Sequence, residues 1–335
     1  MDAVELDLSA LHDRIDQAAA EQAEAASQQR RSYTLIRPFG EAAGSYIQQI
    51  QDQDRFFLGL EGVDRLTRGH GRGELCYVTG RPHSGKTQIV LNALNNNSAK
   101  PILMFTPDES PELVLSKLIA VRHGVSSEAL EERVLLGDPD AISLIEHAAA
   151  TEFNKLIVLD AGLTLREMGR ALDEAEHYWQ EKCGCCIYDY LELLPGEGDF
   201  AGVGNKSRAM KQWTSESDAA MLCMHQGKRG DNQRGEAQGM DSMKFGGESE
   251  AIVVLEVYRK RDKKSLTPAE REGHKNSVTV FVAKNKRPPM RLGEVTFYMN
   301  PDTGHVRPMT TQDMIRDGKP SDNPADILSA RRTIQ

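Results

Sequence analysis

The sequence predicts an α/β fold in which a mostly parallel sheet is flanked by helices. Short apolar runs alternate with amphipathic helical stretches, and the early runs are apolar on both faces, as in strands of a covered parallel sheet. The later runs follow one another closely, so we expect the far edge of the sheet to be antiparallel. The predicted strands are 75–80, 102–106, 155–160, 185–194, 220–226, 251–259 and 277–286, with helices predicted at 111–124 and 163–182.

The first part of the chain predicts a short helical extension ahead of this domain. Within 1–31, a thin apolar stripe recurs at helical spacing, too narrow to be buried in a core: Leu8, Leu11, Ile15 and Ala19. This helix is either a frayed tail or a docking helix. We expect a helical extension and linker at 1–56, the α/β domain at 57–310 and a polar tail at 311–335. Residues 32–71 are expected to be a mixed segment that serves as a linker into the first strand.

Composition excludes several classes of protein. The 335 residues include 41 Lys+Arg and 50 Asp+Glu, a net charge of −9, so any contact with nucleic acid must come from local loops rather than a basic coat. Five cysteines, three of them within 183–186, are not a disulfide framework, and core packing is favoured over zinc because a second ligand pair is missing. No long apolar run is present, so we expect a cytoplasmic protein without membrane contact.

The strongest motif is a phosphate loop of the form G-x-x-x-x-G-K-T between a predicted strand and a predicted helix. Its glycines allow several backbone N–H groups to face one anion, and the helix N-terminus adds partial positive charge. The lysine is expected to reach the β- and γ-phosphates, and the threonine hydroxyl to bind Mg²⁺. A chance glycine turn is disfavoured by this context, so a nucleoside triphosphate site is predicted at Gly80, Arg81, Pro82, His83, Ser84, Gly85, Lys86, Thr87 and Gln88.

A second acidic residue is needed to hold the metal, and two strand ends offer one. Asp189 ends an apolar run that is suited to a central strand, and Asp160 ends 155–160 in the same style. A carboxylate at the tip of a buried strand is costly unless it lies near a cation. We favour Asp189, because an irregular segment suited to a binding loop follows it.

These motifs together resemble the RecA-like motor domain of DnaB-type hexameric replicative helicases, over roughly residues 57–300. The resemblance includes GLEGVDRLTRGHGRGELCYVTGRPHSGKT, ILMFT with the following PDES, IYDYLELL, the His-Gln pair at 225–226, FGGESEA and VFVAKNKRPP. It implies an ATP-driven ring, hexameric in this family, that uses Mg²⁺ and moves on single-stranded DNA, with primase or a helicase loader as partners. We expect the chain to lack the family's large N-terminal domain and to be more like a phage-encoded form.

The resemblance also assigns catalytic roles. Asp108 aligns best with the family's catalytic glutamate, although Glu109 has the longer reach, and both could instead begin a helix as N-cap and first-turn residues. Gln226 corresponds to the sensor of the γ-phosphate, or alternatively satisfies buried neighbours. In this family, basic residues of one subunit contact the nucleotide that is bound to the neighbouring subunit. Here these residues would be Lys284, Lys286 and Arg287. The arginine is not at the family's usual spacing, and a solvated strand end is the alternative.

DNA contacts are expected from two segments without regular structure, 195–206 and 227–247, each after the end of a strand. Their basic residues are few, so contact would be with the DNA backbone and repeated around a ring. The candidates are Lys206, Arg208, Lys228, Arg229, Arg234 and Lys244.

Two other functions fit the same phosphate loop. A RecA- or RadA-like recombinase would form filaments and pair strands, but FGGESEA and the absence of an added DNA-binding domain weigh against it. An ATP-gated binding module, such as a loader, would show ATPase activity that single-stranded DNA leaves unchanged. A helicase predicts stimulation by DNA instead.

Overall fold

A computed structural model describes residues 39–51, 55–196, 200–227, 235–239 and 249–316. The chain divides into two compact units, Met1–Asp54 and Arg55–Gln335. In the first unit, helix α1 spans Ala42–Gln51 and exposes the side chains of Tyr46 and Ile50. The predicted helix over 1–31 lies outside the described residues.

The second unit is built on a nine-stranded sheet in the order β11-β10-β9-β8-β3-β7-β6-β4-β5. Its strands are β3 (Leu75–Gly80), β4 (Ile102–Phe105), β5 (Leu156–Leu159), β6 (Cys185–Tyr188), β7 (Ala220–Gln226), β8 (Val253–Tyr258), β9 (Ser277–Asn285), β10 (Gly293–Met299) and β11 (Val306–Pro308). A separate two-stranded ribbon pairs β1 (Arg55–Phe56) with β2 (His70–Gly71).

The six strands from β8 to β5 are parallel, and β9, β10 and β11 add an antiparallel edge. Parallel strands in this arrangement bring their carboxyl ends to one edge of the sheet, where ligands bind in open α/β folds. The antiparallel edge and the predicted strands other than 185–194 are confirmed. That strand ends at Tyr188, and a 3-10 turn follows at Leu191–Leu193. The strands β10 and β11 were not predicted from the sequence.

Helices cover both faces of the sheet. They are α2 (Glu61–Thr67), α3 (Lys86–Asn96), α4 (Pro111–His123), α5 (Ser127–Leu135), α6 (Pro139–His147), α7 (Leu165–Trp179), α8 (Phe200–Ser217), α9 (Pro268–Gly273) and α10 (Thr311–Arg316). Alternate residues of β3 point to opposite faces, so Val78 packs in the core under α3 and α4, while Tyr77 packs in the core under α7 and α8. The two apolar faces of each central strand require this double cover.

Three other segments also differ from the prediction. Residues 200–206, expected in an irregular loop, begin α8 instead, because Val203, Met210 and Trp213 bury one side of that helix against the sheet. The segment 32–71 contains α1, β1, α2 and β2 rather than only a linker. Residues 311–316 form α10, in which Asp313 pairs with Arg307 at 2.7 Å.

The cysteines pack in the interior as predicted. All five are buried and reduced, and Cys183 Sγ lies 3.9 Å from Cys186 Sγ. Within the part of the chain that the structure describes, no group of three or more His, Cys, Asp or Glu side chains is placed to hold a metal. No helix among these same residues has the length and apolar character required to cross a membrane.

Candidate nucleotide-binding site

The phosphate loop connects the carboxyl end of β3 to the first turn of α3. Gly85 precedes the helix with φ = 101°, a conformation that side chains other than glycine rarely adopt. A Cβ on Gly80 would lie 2.4 Å from the carbonyl oxygen of Val257 and 2.6 Å from Ser84 Oγ. Both glycines are therefore needed for the loop to curl this tightly at the sheet edge.

Lys86 and Ser84 place polar groups inside that curl. Lys86 Nζ donates to the carbonyl oxygens of Gly80 at 2.8 Å and Arg81 at 3.0 Å. Burial lowers the pKa of Lys86, and the negative charges of Asp189 and Glu192 oppose the shift. Ser84 is 4% exposed, and its Oγ has no hydrogen-bond partner among the described residues. A cation, helical N–H groups and an unsatisfied buried hydroxyl fit the phosphates of a nucleotide.

Asp189 lies at the same edge of the sheet, directly after β6, which is separated from β3 by β7 alone. Burial raises its pKa to about 7, with a further contribution from the charge of Glu109, while Lys86 lowers it. A buried carboxylate of this kind is stabilised by a cation, so Asp189 and the Thr87 hydroxyl fit the protein's share of a Mg²⁺ shell. Asp160, the other candidate, is exposed after the edge strand β5.

The two acidic residues after β4 have different surroundings. The Glu109 carboxylate binds Lys117 Nζ at 2.5 Å, whereas Asp108 is exposed and forms no ion pair within the described residues. The negative charge of each contributes to the raised pKa of Asp189. The N-cap of α4 is Ser110, whose side chain accepts from Leu113 N–H, so the alternative in which Asp108 caps this helix is wrong.

Gln226 ends β7 opposite Gly80 in the parallel ladder, which brings the predicted sensor beside the phosphate loop. Its backbone N–H donates to Glu192 Oε1 at 3.0 Å, and the same oxygen lies 3.1 Å from Nδ1 of the buried His225. Glu192 was not predicted from the sequence. The one signal in the sequence was an acidic residue three positions after Asp189, the residue predicted to bind the metal.

Gly227 is a second residue that the sequence did not reveal. Its N–H donates to the carbonyl oxygen of Gly80 at 2.8 Å. A Cβ at this position would lie 2.9 Å from the carbonyl carbon of Gly80 and 3.1 Å from Arg81 N. The chain leaving β7 therefore packs directly on the backbone of the phosphate loop, and only glycine allows this approach.

The structure separates the three basic residues that were predicted to reach the nucleotide of a neighbouring subunit, called finger residues below. Lys284 Nζ and Lys286 Nζ each lie 3.0 Å from the carbonyl oxygen of Ser249. Arg287 is 8% exposed, and its guanidinium pairs with Glu74 and donates to the Thr67 carbonyl oxygen at 2.7 Å. This guanidinium is satisfied within its own subunit, so Arg287 does not meet the requirement for a finger that reaches a neighbour.

The predicted DNA contacts are only partly described. Lys206 lies on α8 and is 7% exposed, with Nζ donating to the Glu192 carbonyl oxygen at 3.1 Å. Its charge faces the interior rather than a DNA surface, contrary to the prediction. Arg208 is exposed on the same helix. Outside the described residues lie the remaining candidates, Lys228, Arg229, Arg234 and Lys244.

Solved structures resemble this fold. "ATPase Domain of G40P" gives a TM-score of 0.69 at 18% identity, covering 82% of this chain and 100% of that one. "The Structure Of A DnaB-Like Replicative Helicase And Its Interactions With Primase" gives 0.67 at 18%, covering 82% and 68%. At this identity the likeness concerns the fold alone, and it confirms the predicted RecA-like core.

Curated relatives extend the likeness to sequence. The replicative DNA helicase DnaB of Treponema pallidum is 28% identical over 254 residues, covering 71% of this chain and 53% of the relative. The Geobacillus stearothermophilus DnaB is 24% identical over 250 residues, covering 71% and 54%. The chain thus spans about half the length of these relatives. The model of the family described as "DnaB-like helicase C terminal domain" matches residues 57–303, and the chain belongs to that family.

Proposed function

We propose that this protein is an ATP-driven DNA helicase that assembles into a ring and moves on single-stranded DNA to unwind duplex during replication. Family membership and the relatives named replicative DNA helicase support the proposal. The observation that carries it is the meeting of Lys86, Asp189 and Asp108-Glu109 at the carboxyl edge of one sheet. These are the cation, metal ligand and carboxylates that phosphoryl transfer requires.

In this proposal the loop 80–88 binds the triphosphate of ATP. Its backbone N–H groups and Lys86 bind the phosphate oxygens, and Ser84 Oγ supplies the hydroxyl that the protein leaves unsatisfied. Thr87 and Asp189 would hold Mg²⁺, which neutralises charge on the phosphates when it is bound. The positive charge of Lys86 opposes part of the rise that burial causes in the pKa of Asp189.

We assign the general base to Asp108. A base must reach the attacking water, and Asp108 is exposed at the end of β4, whereas the Glu109 carboxylate is held by Lys117 at 2.5 Å. Glu109 would then fix the position of the segment that carries Asp108. Alignment with the family's catalytic glutamate also favours Asp108.

Lys284 and Lys286 are proposed to stabilise the nucleotide of the neighbouring subunit. They lie at the end of β9, where Asn285 pairs with Val253 and Val253 pairs with Cys76. Gly80 lies four residues further along β3, which is about 13 Å at the rise of a strand. These lysines therefore lie at the end of the sheet away from their own phosphate loop, so a nucleotide in a second subunit is the more plausible target for them.

DNA is proposed to pass through the ring in contact with Arg208, Lys228, Arg229, Arg234 and Lys244. Gln226, beside Gly80, would link the nucleotide to that chain segment, because the strand that carries it leads into the segment. One solved neighbour's title names primase, which makes primase a candidate partner here as well.

The test is ATP hydrolysis with and without a single-stranded oligonucleotide. We expect the oligonucleotide to stimulate the wild type severalfold, and Lys86→Ala to reduce turnover by roughly 100-fold or more. Lys275→Ala, which removes a 60% exposed lysine paired only on the surface with Glu272, is the matched control and should keep wild-type turnover. ATPase activity that DNA leaves unchanged would instead indicate an ATP-gated binding module.

A further inference from the structure

A buried carboxylate stands beside the phosphate loop without a role in the proposed reaction. Glu256 lies in the middle of β8, directly opposite Thr79, the residue that precedes Gly80. It is 4% exposed, whereas the other residues of β8 are apolar except the terminal tyrosine. A buried carboxylate is costly unless it receives hydrogen bonds, so its partners indicate what it does.

Those partners belong to the chain between β7 and β8. Gln238 N–H donates to Glu256 Oε1 at 3.0 Å and to Oε2 at 2.8 Å, and Gly239 N–H donates to Oε2 at 3.0 Å. Burial raises the pKa of Glu256, while these two amides and the positive charge of Arg81 oppose the shift. One side chain therefore binds segment 235–239 and also lies in the wall of a small cavity with Arg81 of the phosphate loop.

Segment 235–239 is also held at its other end. Gly235 has φ = 75°, and a Cβ there would lie 2.4 Å from Lys263 N, so the backbone packs closely on the segment after β8. Glu236 forms an ion pair with Lys263. Gln238 of this segment also lines the same small cavity, together with Glu256 and with residues of or beside the phosphate loop: Gly80, Arg81, Ser84 and Gly227. The segment thus shares the lining of this cavity with the phosphate loop, and its polar contacts are with Glu256 and Lys263.

We propose that Glu256 is a positioning residue that transmits occupancy of the phosphate loop to segment 235–239, and through it to the chain proposed to contact DNA. A bound triphosphate attracts the Arg81 guanidinium, whose charge otherwise stabilises the Glu256 carboxylate. The strength with which the carboxylate holds the two amides then depends on the nucleotide. The DNA part of this inference rests on the proposed function, whereas the link between nucleotide and segment does not.

Hydrogen exchange of the peptide that covers 235–239 tests the link in the full-length protein. It is measured with and without a non-hydrolysable ATP analogue and Mg²⁺ in wild type, Glu256→Leu, Glu256→Gln and the control Glu272→Gln, which alters a 73% exposed glutamate. We expect wild-type exchange to change on nucleotide binding. In Glu256→Leu it should be roughly tenfold faster and independent of nucleotide. Glu256→Gln, which keeps one acceptor oxygen, should be intermediate, and the control should match wild type.

The ratio of DNA-stimulated to basal ATPase activity is the second readout. Glu256→Leu should bring this ratio close to one, and Glu256→Gln should restore part of it. Wild-type exchange and a wild-type ratio in Glu256→Leu would overturn the inference. If the wild type itself is not stimulated by DNA, the proposed function fails, while the exchange measurement still decides whether Glu256 links nucleotide and segment.

Discussion

The two neighbouring carboxylates at the end of β4 show that the surroundings of a residue determine which role it can take. Asp108 and Glu109 are adjacent and chemically alike, yet one faces solvent and the other binds Lys117 at 2.5 Å. An ion pair of this kind restrains a carboxylate, so that it is less free to reach an attacking water. We therefore assign the role of base to the exposed aspartate and an anchoring role to the glutamate, as a proposal.

Separate substitutions distinguish these two roles. We expect Asp108→Asn to lower the turnover number by roughly 100-fold or more while ATP binding is retained, because only proton transfer is lost. Glu109→Gln should cause a smaller fall in turnover together with a lower melting temperature, because Lys117 loses its partner. Single-turnover hydrolysis, analogue binding and thermal unfolding are the measurements. The reverse pattern would assign the base to Glu109.

The raised pKa of Asp189 predicts how the stability of the protein depends on pH. Its folded-state pKa of about 7 lies above the value of 3.8 for a free carboxyl, so the folded protein holds a proton that the unfolded chain has lost. The free energy of unfolding should therefore fall as pH rises from about 4 to about 7, by at most roughly 1.4 kcal/mol per pH unit from this group. Asp189→Asn removes that fall.

Thermal unfolding in chelator, without nucleotide, checks this at about pH 5 and about pH 8. We expect Asp189→Asn to be more stable than wild type at the higher pH and to differ less at the lower one. Equal differences at both pH values would show that Asp189 is not titrating in this range.

At the scale of elements, the close approach of β7 to the phosphate loop determines the shape of the site. Gly227 follows β7 and donates to the Gly80 carbonyl oxygen at 2.8 Å, in line with the ladder that pairs Gln226 with Gly80. The loop's conformation thus depends on a second strand as well as on its own glycines. A change at the end of β7 should therefore alter the affinity for the nucleotide.

Gly227→Ala should weaken ATP binding by roughly tenfold, because the added Cβ would lie 2.9 Å from the Gly80 carbonyl carbon and must displace the loop. The matched control is Gly204→Ala within α8, where an added Cβ meets nothing within 4 Å. That control should bind ATP normally and be more stable by up to about 1 kcal/mol, as for glycine to alanine in a helix. Titration with a fluorescent ATP analogue measures both. Equal affinity in the two variants would contradict the role of Gly227.

At the scale of the whole molecule, the basic end of β9 and the phosphate loop lie at opposite ends of the sheet. A single chain cannot bring Lys286 to its own phosphates, but a second copy can present it to them. We therefore propose an assembly whose active sites are shared between subunits.

Mixing two inactive variants tests this sharing. Lys86→Ala lacks the phosphate lysine, and Lys286→Ala lacks the proposed finger, so each alone should have little ATPase activity. A mixture should recover part of it, because some interfaces join an intact loop of one subunit to an intact Lys286 of the other. Lys275→Ala mixed with Lys86→Ala gives the dilution baseline. Full activity in Lys286→Ala alone would exclude the finger.

The sequence by itself predicted seven of the nine strands of the sheet and the existence of the phosphate loop. Both depend on local pattern. Buried parallel strands consist of apolar runs. The motif G-x-x-x-x-G-K-T between a strand and a helix specifies a turn that few other sequences form. The helical start of 200–206 was missed, because its glycines obscured an apolar spacing that becomes a buried face only against the sheet.

Only the tertiary structure decided which strand ends meet. The order of strands placed Asp189 near Lys86 and left Asp160 at the edge. It turned Arg287 inward to Glu74, and it brought Glu256 to the amides of 238–239. The physical reason is that a sequence records the neighbours along the chain, whereas charge, burial and hydrogen bonding depend on the neighbours across the sheet.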